Sequence, residues 1–143
     1  MLMLTGMVSS AQLKFNETEF VSVSIVSNPE GFIDSNKMAT SFELQYDAPR
    51  VYVRAVVKKG FEYFDWSGTI GTAIQNNKIR IYSGVKIGTV IIDRNHYALT
   101  GIESGIDFLN CSRWSIGPRV SFDYVAGHSN RFESGLKFTY KIN

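Results

Sequence analysis

One cysteine and two histidines are all that the chain of 143 residues offers to thiol or imidazole chemistry. A lone Cys111 excludes an intramolecular disulfide framework and any paired-cysteine metal motif. His96 and His128 cannot build a zinc cluster without several carboxylate ligands, so no metal and no cofactor is expected. A formal net charge of +2, with no dense Lys/Arg patch, gives no nucleic-acid footprint. No run of about 18 apolar residues is present, which excludes a transmembrane helix. Helical periodicity is also missing from residue 20 onward.

What is present is alternation. Eight strands are expected, at 20–27, 38–47, 50–58, 61–74, 78–91, 97–109, 113–125 and 131–142. Turn residues separate them, as in Asp47-Ala48-Pro49, Lys59-Gly60, Asp93-Arg94-Asn95 and Asn110-Cys111-Ser112. Only the segment 27–37 is long. Short links force antiparallel neighbours, because a parallel crossover needs about a dozen residues or more. Closing the resulting meander removes both exposed edges. Length fits one domain.

The first residues, MLMLTGMVSSAQ, are uncharged and apolar and end in the small-residue pattern Ser9-Ser10-Ala11. Residues 1–11 are expected to be a partial signal peptide without its basic n-region, followed by the barrel domain at 12–143. The alternative is an apolar N-terminal strand.

Splitting each strand into two faces decides which way the sheet is turned. Thirteen charges, among them Glu43, Arg54, Asp65, Lys86, Glu103 and Arg119, keep to one face across seven strands, with Glu62, beside a turn, as the exception. The stretch TGIESGIDF shows the pattern: Gly101, Glu103, Gly105 and Asp107 lie on one face, Ile102, Ile106 and Phe108 on the other. A soluble barrel would turn the charged face to water. Glycine, however, weakens a strand and gains nothing when its missing side chain would have faced solvent. Inside an eight-stranded barrel, whose lumen side chains just fill, small residues relieve crowding. The charged, glycine-bearing face is therefore expected inside.

The apolar face carries aromatics near both sets of strand ends, including Tyr46, Phe108, Trp114 and Tyr140 at one and Trp66 and Tyr124 at the other. Its middle is aliphatic. Two aromatic girdles around an aliphatic band are what a bilayer demands. The expected fold is all-β: an eight-stranded antiparallel up-and-down transmembrane β-barrel with a polar, side-chain-filled lumen.

The strands YSGVKIG, LTGIESGIDF and WSIGPRVSFDY, the ending SGLKFTYKIN and the start SSAQ resemble the small outer-membrane β-barrel domain family, OmpA-barrel and OmpX-like, of the type common in Bacteroidota. The resemblance implies a bacterial outer-membrane location with a periplasmic N-terminus. It also implies insertion by the barrel-assembly machinery, which reads an aromatic-rich final strand. Phe138, Tyr140 and Ile142 fit that strand, whereas the chain ends in Asn143 where the family commonly ends in Phe.

Charges inside a narrow barrel need partners. Hairpin centres guessed from the turns suggest two triads, Glu43–Arg54–Asp65 and Lys86–Glu103–Arg119, or else side chains solvated by trapped water. A lumen so filled has no continuous aqueous path. The expected function is a small non-enzymatic outer-membrane barrel with a structural or surface-interaction role through its loops, chiefly 27–37. One alternative is an outer-leaflet lipid-modifying enzyme resembling the lipid A deacylases. His128, Ser129 and Glu133 would be its only candidate residues, with His and Ser adjacent rather than two apart. The other alternative is a soluble lipocalin-like carrier with the faces reversed.

Overall fold

The computed structural model describes residues 13–15, 19–29, 38–108 and 113–142. The strands are β1 (Lys14–Phe15), β2 (Phe20–Pro29), β3 (Met38–Ala48), β4 (Val51–Lys59), β5 (Tyr63–Gln75), β6 (Ile79–Ile92), β7 (Asn95–Phe108), β8 (Trp114–Val125) and β9 (Arg131–Lys141). Each of β2 to β9 pairs antiparallel with its sequence neighbour, and β9 pairs back onto β2, so the sheet closes. The eight long strands match the expected segments to within about two residues at each boundary. Two differences matter. β2 continues to Pro29, so the connection expected from 27 begins later. The short β1 was not expected: it pairs with Ile74 and Gln75 of β5, beyond the point where Tyr52 of β4 faces Gly71. The expected signal segment 1–11, its Gln12 boundary, Cys111 and Asn143 lie outside the described residues.

The tight turns have local causes. Pro49-Arg50 links β3 to β4 with Arg50 at φ 71, as a type II turn requires at its third position. Asp93-Arg94 links β6 to β7 with φ values of 50 and 67, the type I′ pattern whose twist matches that of the flanking strands.

The register fixes the size of the barrel. From Lys141 the paired residues run through Ser22, Gln45, Arg54, Thr69, Lys86, Gly101 and Asp123 to Arg131. One circuit thus returns to β9 ten residues from its start. Eight strands with that stagger tilt by about 41° and enclose a backbone radius of about 8 Å. The 11 residues of β3 then rise about 27 Å, close to the roughly 30 Å hydrocarbon core of a bilayer.

Alternation sets the two faces. Inward positions of β4 are Tyr52, Arg54, Val56 and Lys58; outward positions are Val51, Val53, Ala55 and Val57. The outer wall is exposed and apolar, with Ile87 at 64% and Phe42 at 63% exposure. This is the reverse of a soluble barrel, and it excludes the lipocalin-like arrangement of faces. Both described chain ends lie at one mouth, here the terminal end. The connections after β2, β4, β6 and β8 lie at the other, the hairpin end.

Candidate functional site

The lumen is where the chain concentrates its chemistry. Fourteen charged side chains are buried there. Seven are acids (Glu43, Asp47, Asp65, Glu103, Asp107, Asp123 and Glu133), and seven are bases (Arg54, Lys58, Arg80, Lys86, Arg119, Arg131 and Lys137). Asp123, Arg131 and Lys137 have 0% exposure. Every one of the fourteen contacts an opposite charge.

Those contacts sort into three layers along the axis, each neutral. In the middle layer, Arg54 Nη1 sits 2.5 Å from Glu103 Oε1 and Arg54 Nε 3.4 Å from Glu43 Oε2. Arg119 binds Glu43 closely and lies 3.9 Å from Glu103. Two guanidiniums and two carboxylates thus form a closed square spanning β3, β4, β7 and β8. Tyr52 donates its hydroxyl to Glu103 at 3.1 Å. Near the hairpin end, Arg131 holds Asp65 and Asp123, each at 2.7 Å, and Glu133 at 2.5 Å. Lys58 binds Glu133 and Lys86 lies 2.7 Å from Asp123, completing a second group of three acids and three bases. Near the terminal end, Arg80 joins Asp47 and Asp107, and Lys137 lies 3.4 Å from Asp107.

Neutral side chains connect the layers. Gln45 accepts from Arg54 Nε at 2.8 Å and donates to Asp47 at 2.5 Å, bridging the middle and terminal layers. Tyr52 and Tyr82 meet edge to face at 6.0 Å. Arg54 lies 5.1 and 5.2 Å from their ring centroids, and Lys137 lies 4.3 Å from Tyr82. Room for Tyr52 comes from Gly71, which faces it across the sheet; a Cβ there would come within 2.6 Å of the ring. At the hairpin end an apolar cluster of Ala39, Tyr63, Val90, Leu99 and Val125 packs across the inside of the mouth.

Burying this many charges is tolerable only because they are paired and hydrogen-bonded. Many of the pairs bridge strands that are not neighbours: Asp65 and Arg131 reach each other from β5 and β9, on opposite walls. Such contacts brace the barrel across its diameter. The buried charges of each layer cancel, and half-buried Lys141, 4.3 Å from the Phe20 ring, adds one positive charge at the terminal mouth.

The six charges singled out from sequence are all buried in the lumen, but the structure groups them differently. Glu43, Arg54, Glu103 and Arg119 come together in the middle layer, joining members of both proposed triads. Asp65 and Lys86 belong to the Arg131–Asp123 group instead. Arg54 faces Thr69 rather than Asp65, and Lys86 faces Gly101 rather than Glu103. Asp47 and Arg131 were missed because each stands at the end of an expected strand beside a turn, Asp47 closing 38–47 and Arg131 opening 131–142. Their alternation with Gln45 and Glu133 was the available signal. The interface aromatics lie outside: Tyr46, Trp66, Phe108, Trp114 and Tyr124 are exposed and Tyr140 is half-buried. Trp114 stacks on Tyr140 at 4.5 Å and on Phe138 at 5.0 Å.

The hydrolase candidates do not converge. Ser129 Oγ lies 3.2 Å from Nδ1 of its neighbour His128 at the exposed β8–β9 turn, while Glu133 is engaged inside by Lys58 and Arg131. Among the described residues no group of three or more His, Cys, Asp and Glu is arranged to hold a metal ion.

No protein-family model matches the chain, and no curated protein matches it in sequence. Solved structures match its fold. The N-terminal β-barrel domain of Pseudomonas aeruginosa OprF superposes with a TM-score of 0.68 at 10% identity, over 87% of this chain and 100% of that one. A de novo designed transmembrane β-barrel gives 0.65 at 12% identity, over 86% and 95%. The outer membrane enzyme PagL gives 0.54 at 17% identity, over 85% and 99%. At these identities the likeness concerns architecture, and the chain has the fold of the small eight-stranded outer-membrane barrels.

Proposed function

We propose that this chain is a non-enzymatic barrel of the bacterial outer membrane with a structural role, its lumen a solid brace and not a conduit. The observation that carries this is the neutral, cross-linked set of seven acids and seven bases, closed toward one mouth by the Ala39–Leu99–Val125 cluster. The apolar wall between two aromatic rings supports membrane placement, as does the fold shared with outer-membrane barrels. In this reading the terminal end is periplasmic, and the barrel-assembly machinery inserts the chain by recognising β9 with Phe138 and Tyr140. Surface recognition would rest on the 27–37 segment, of which 30–37 lie outside the described residues. The other hairpin-end connections, 60–62, 93–94 and 126–130, are too short to build a binding surface.

Reconstitution tests both parts. The protein should require detergent for extraction, show heat-modifiable mobility on a denaturing gel, and give no sustained conductance steps in a planar bilayer. A steady ohmic conductance from the folded wild-type protein would overturn the sealed-lumen reading; extraction in plain buffer would overturn membrane placement. Fatty acid released from lipopolysaccharide by the wild type but not by His128→Ala would overturn the non-enzymatic reading.

A further inference from the structure

The apolar wall is not uniform. A cleft of about 730 Å³ is cut into its outer face across β8, β9, β2, β3 and β4. Its floor is aliphatic, with Val23, Leu44 and Ala55, and Phe42, Phe138, Trp114 and Tyr140 complete the lining. The floor follows one paired row of the sheet, from Trp114 through Tyr140, Val23 and Leu44 to Ala55. Four strand spacings make this row about 19 Å long. Rows incline to the membrane plane by the same angle as strands incline to the axis. The cleft therefore climbs about 12 Å from the aromatic ring, within one leaflet's roughly 15 Å of hydrocarbon.

The lower end of the cleft is marked by charge. Arg113 is exposed there and donates from Nη1 to the Tyr140 hydroxyl at 3.3 Å. Lys14, Arg50, Lys78 and Arg113 are exposed at this rim, against Glu19 as the exposed acid among the described residues. At the hairpin rim, among the described residues, Lys59 and Arg94 are balanced by Glu62 and Asp93. A cationic head position above an apolar channel one leaflet deep complements a molecule with an anionic head and a long chain. A second barrel packed on this face would bring another apolar wall and no counter-charge for Arg113.

We infer that the cleft holds one anionic glycerophospholipid of the surrounding bilayer. Its phosphate rests on Arg113 and the Tyr140 hydroxyl, and one acyl chain lies along Val23, Leu44 and Ala55. This rests on the membrane placement proposed above.

Native mass spectrometry of the full chain, released from vesicles of phosphatidylglycerol and phosphatidylcholine with identical acyl chains, tests it. One phosphatidylglycerol should stay bound per barrel. Arg113→Gln should cut its retention about tenfold, the effect of losing one charge-assisted hydrogen bond. Ala55→Phe, which fills the floor, should reduce it comparably, with Val23→Phe as a second filling variant. Arg94→Gln, at the other rim, should leave retention unchanged. Equal retention of both lipids, no effect of Arg113→Gln, or no effect of both filling variants would overturn the site. Displacement by soluble glycerol phosphate would overturn the acyl-chain half of it. Heat-modifiable mobility scored on every sample separates the two readings. A wild type that never inserts defeats the membrane placement, whereas an inserted barrel without lipid preference defeats only the cleft.

Discussion

Glu103→Gln is the sharpest probe of the lumen. The substitution keeps the shape of the side chain and removes its charge, so the middle layer passes from neutral to one net positive charge. Arg54 loses its 2.5 Å partner, and Arg54 and Arg119 are left to share Glu43. Removing one partner of a buried pair costs about 3–5 kcal/mol. Here Arg54 keeps Glu43 at 3.4 Å and Gln45 at 2.8 Å, and the new amide oxygen still accepts from Tyr52. The lower end, about 3 kcal/mol, is therefore expected. Adding Arg54→Gln restores neutrality, leaving Glu43 with Arg119. The double variant should be less destabilised than the sum of the single variants by about 2 kcal/mol, as expected for residues in one network. Equilibrium urea unfolding in detergent, followed by the fluorescence of Trp66 and Trp114 and by heat-modifiable mobility, measures all three proteins. A loss below about 0.5 kcal/mol for Glu103→Gln, together with additivity in the double variant, would refute the network and leave independently solvated charges.

Gly71→Ala drives a methyl into the Ser83 carbonyl oxygen and to 2.6 Å from the Tyr52 ring. It should cost about 1–3 kcal/mol in the same titration, a loss that Tyr52→Ala does not relieve because the backbone clash remains; an unchanged midpoint would deny the close packing at this point of the wall. Trp114→Ala removes ring contacts at 4.5 and 5.0 Å to Tyr140 and Phe138; a loss of about 2 kcal/mol in vesicles is expected, and an unchanged midpoint would deny the terminal-end girdle its anchoring role.

The sequence carried the faces of the barrel far better than its pairings, for a geometric reason. Side chains alternate with period two, so a two-residue slip keeps every residue on its face and changes only its partner. The register errors were even-numbered slips of this kind, two residues at most hairpins and four between β4 and β5, where Arg54 faces Thr69 instead of Asp65. Centring the β6–β7 hairpin on residues 94 and 95 sets Lys86 opposite Glu103; the actual loop, Asp93-Arg94, is centred one residue earlier and sets it opposite Gly101. Nothing in the residue types marks Asp93 and Arg94 as both adopting positive φ, since a glycine or asparagine is the usual signal for that turn. The Pro49-Arg50 turn misled in the same way, with arginine where glycine is customary. Contacts across the lumen were further out of reach. Asp65 meets Arg131 only because the stagger brings β5 and β9 to the same height on opposite walls.

That stagger also accounts for the lumen's composition. A backbone radius of about 8 Å leaves opposite Cα atoms about 16 Å apart. Bridging that gap takes two extended side chains meeting tip to tip, and Arg, Lys and Glu are the long ones whose tips attract. Beside them the wall needs small residues, and Ser22, Ser24, Ser41, Ser67, Ser115 and Ser121 are buried where glycines are not. Ser24 and Thr139 satisfy each other at 2.8 Å. The charges and the small residues are thus two halves of one packing solution to a cylinder of fixed bore, and neither half needs a ligand to explain it. A designed barrel and an enzyme are among the structures that share this fold. What distinguishes one such protein from another must lie on the surfaces that the bore does not dictate, namely the rims and the lipid-facing wall. Among the described residues those surfaces are unequal: one rim is basic, the other balanced, and the wall is hollowed beside the basic one. That asymmetry is not dictated by the bore, and it gives Arg113 and Ala55 priority over any lumen residue in a search for what the protein binds.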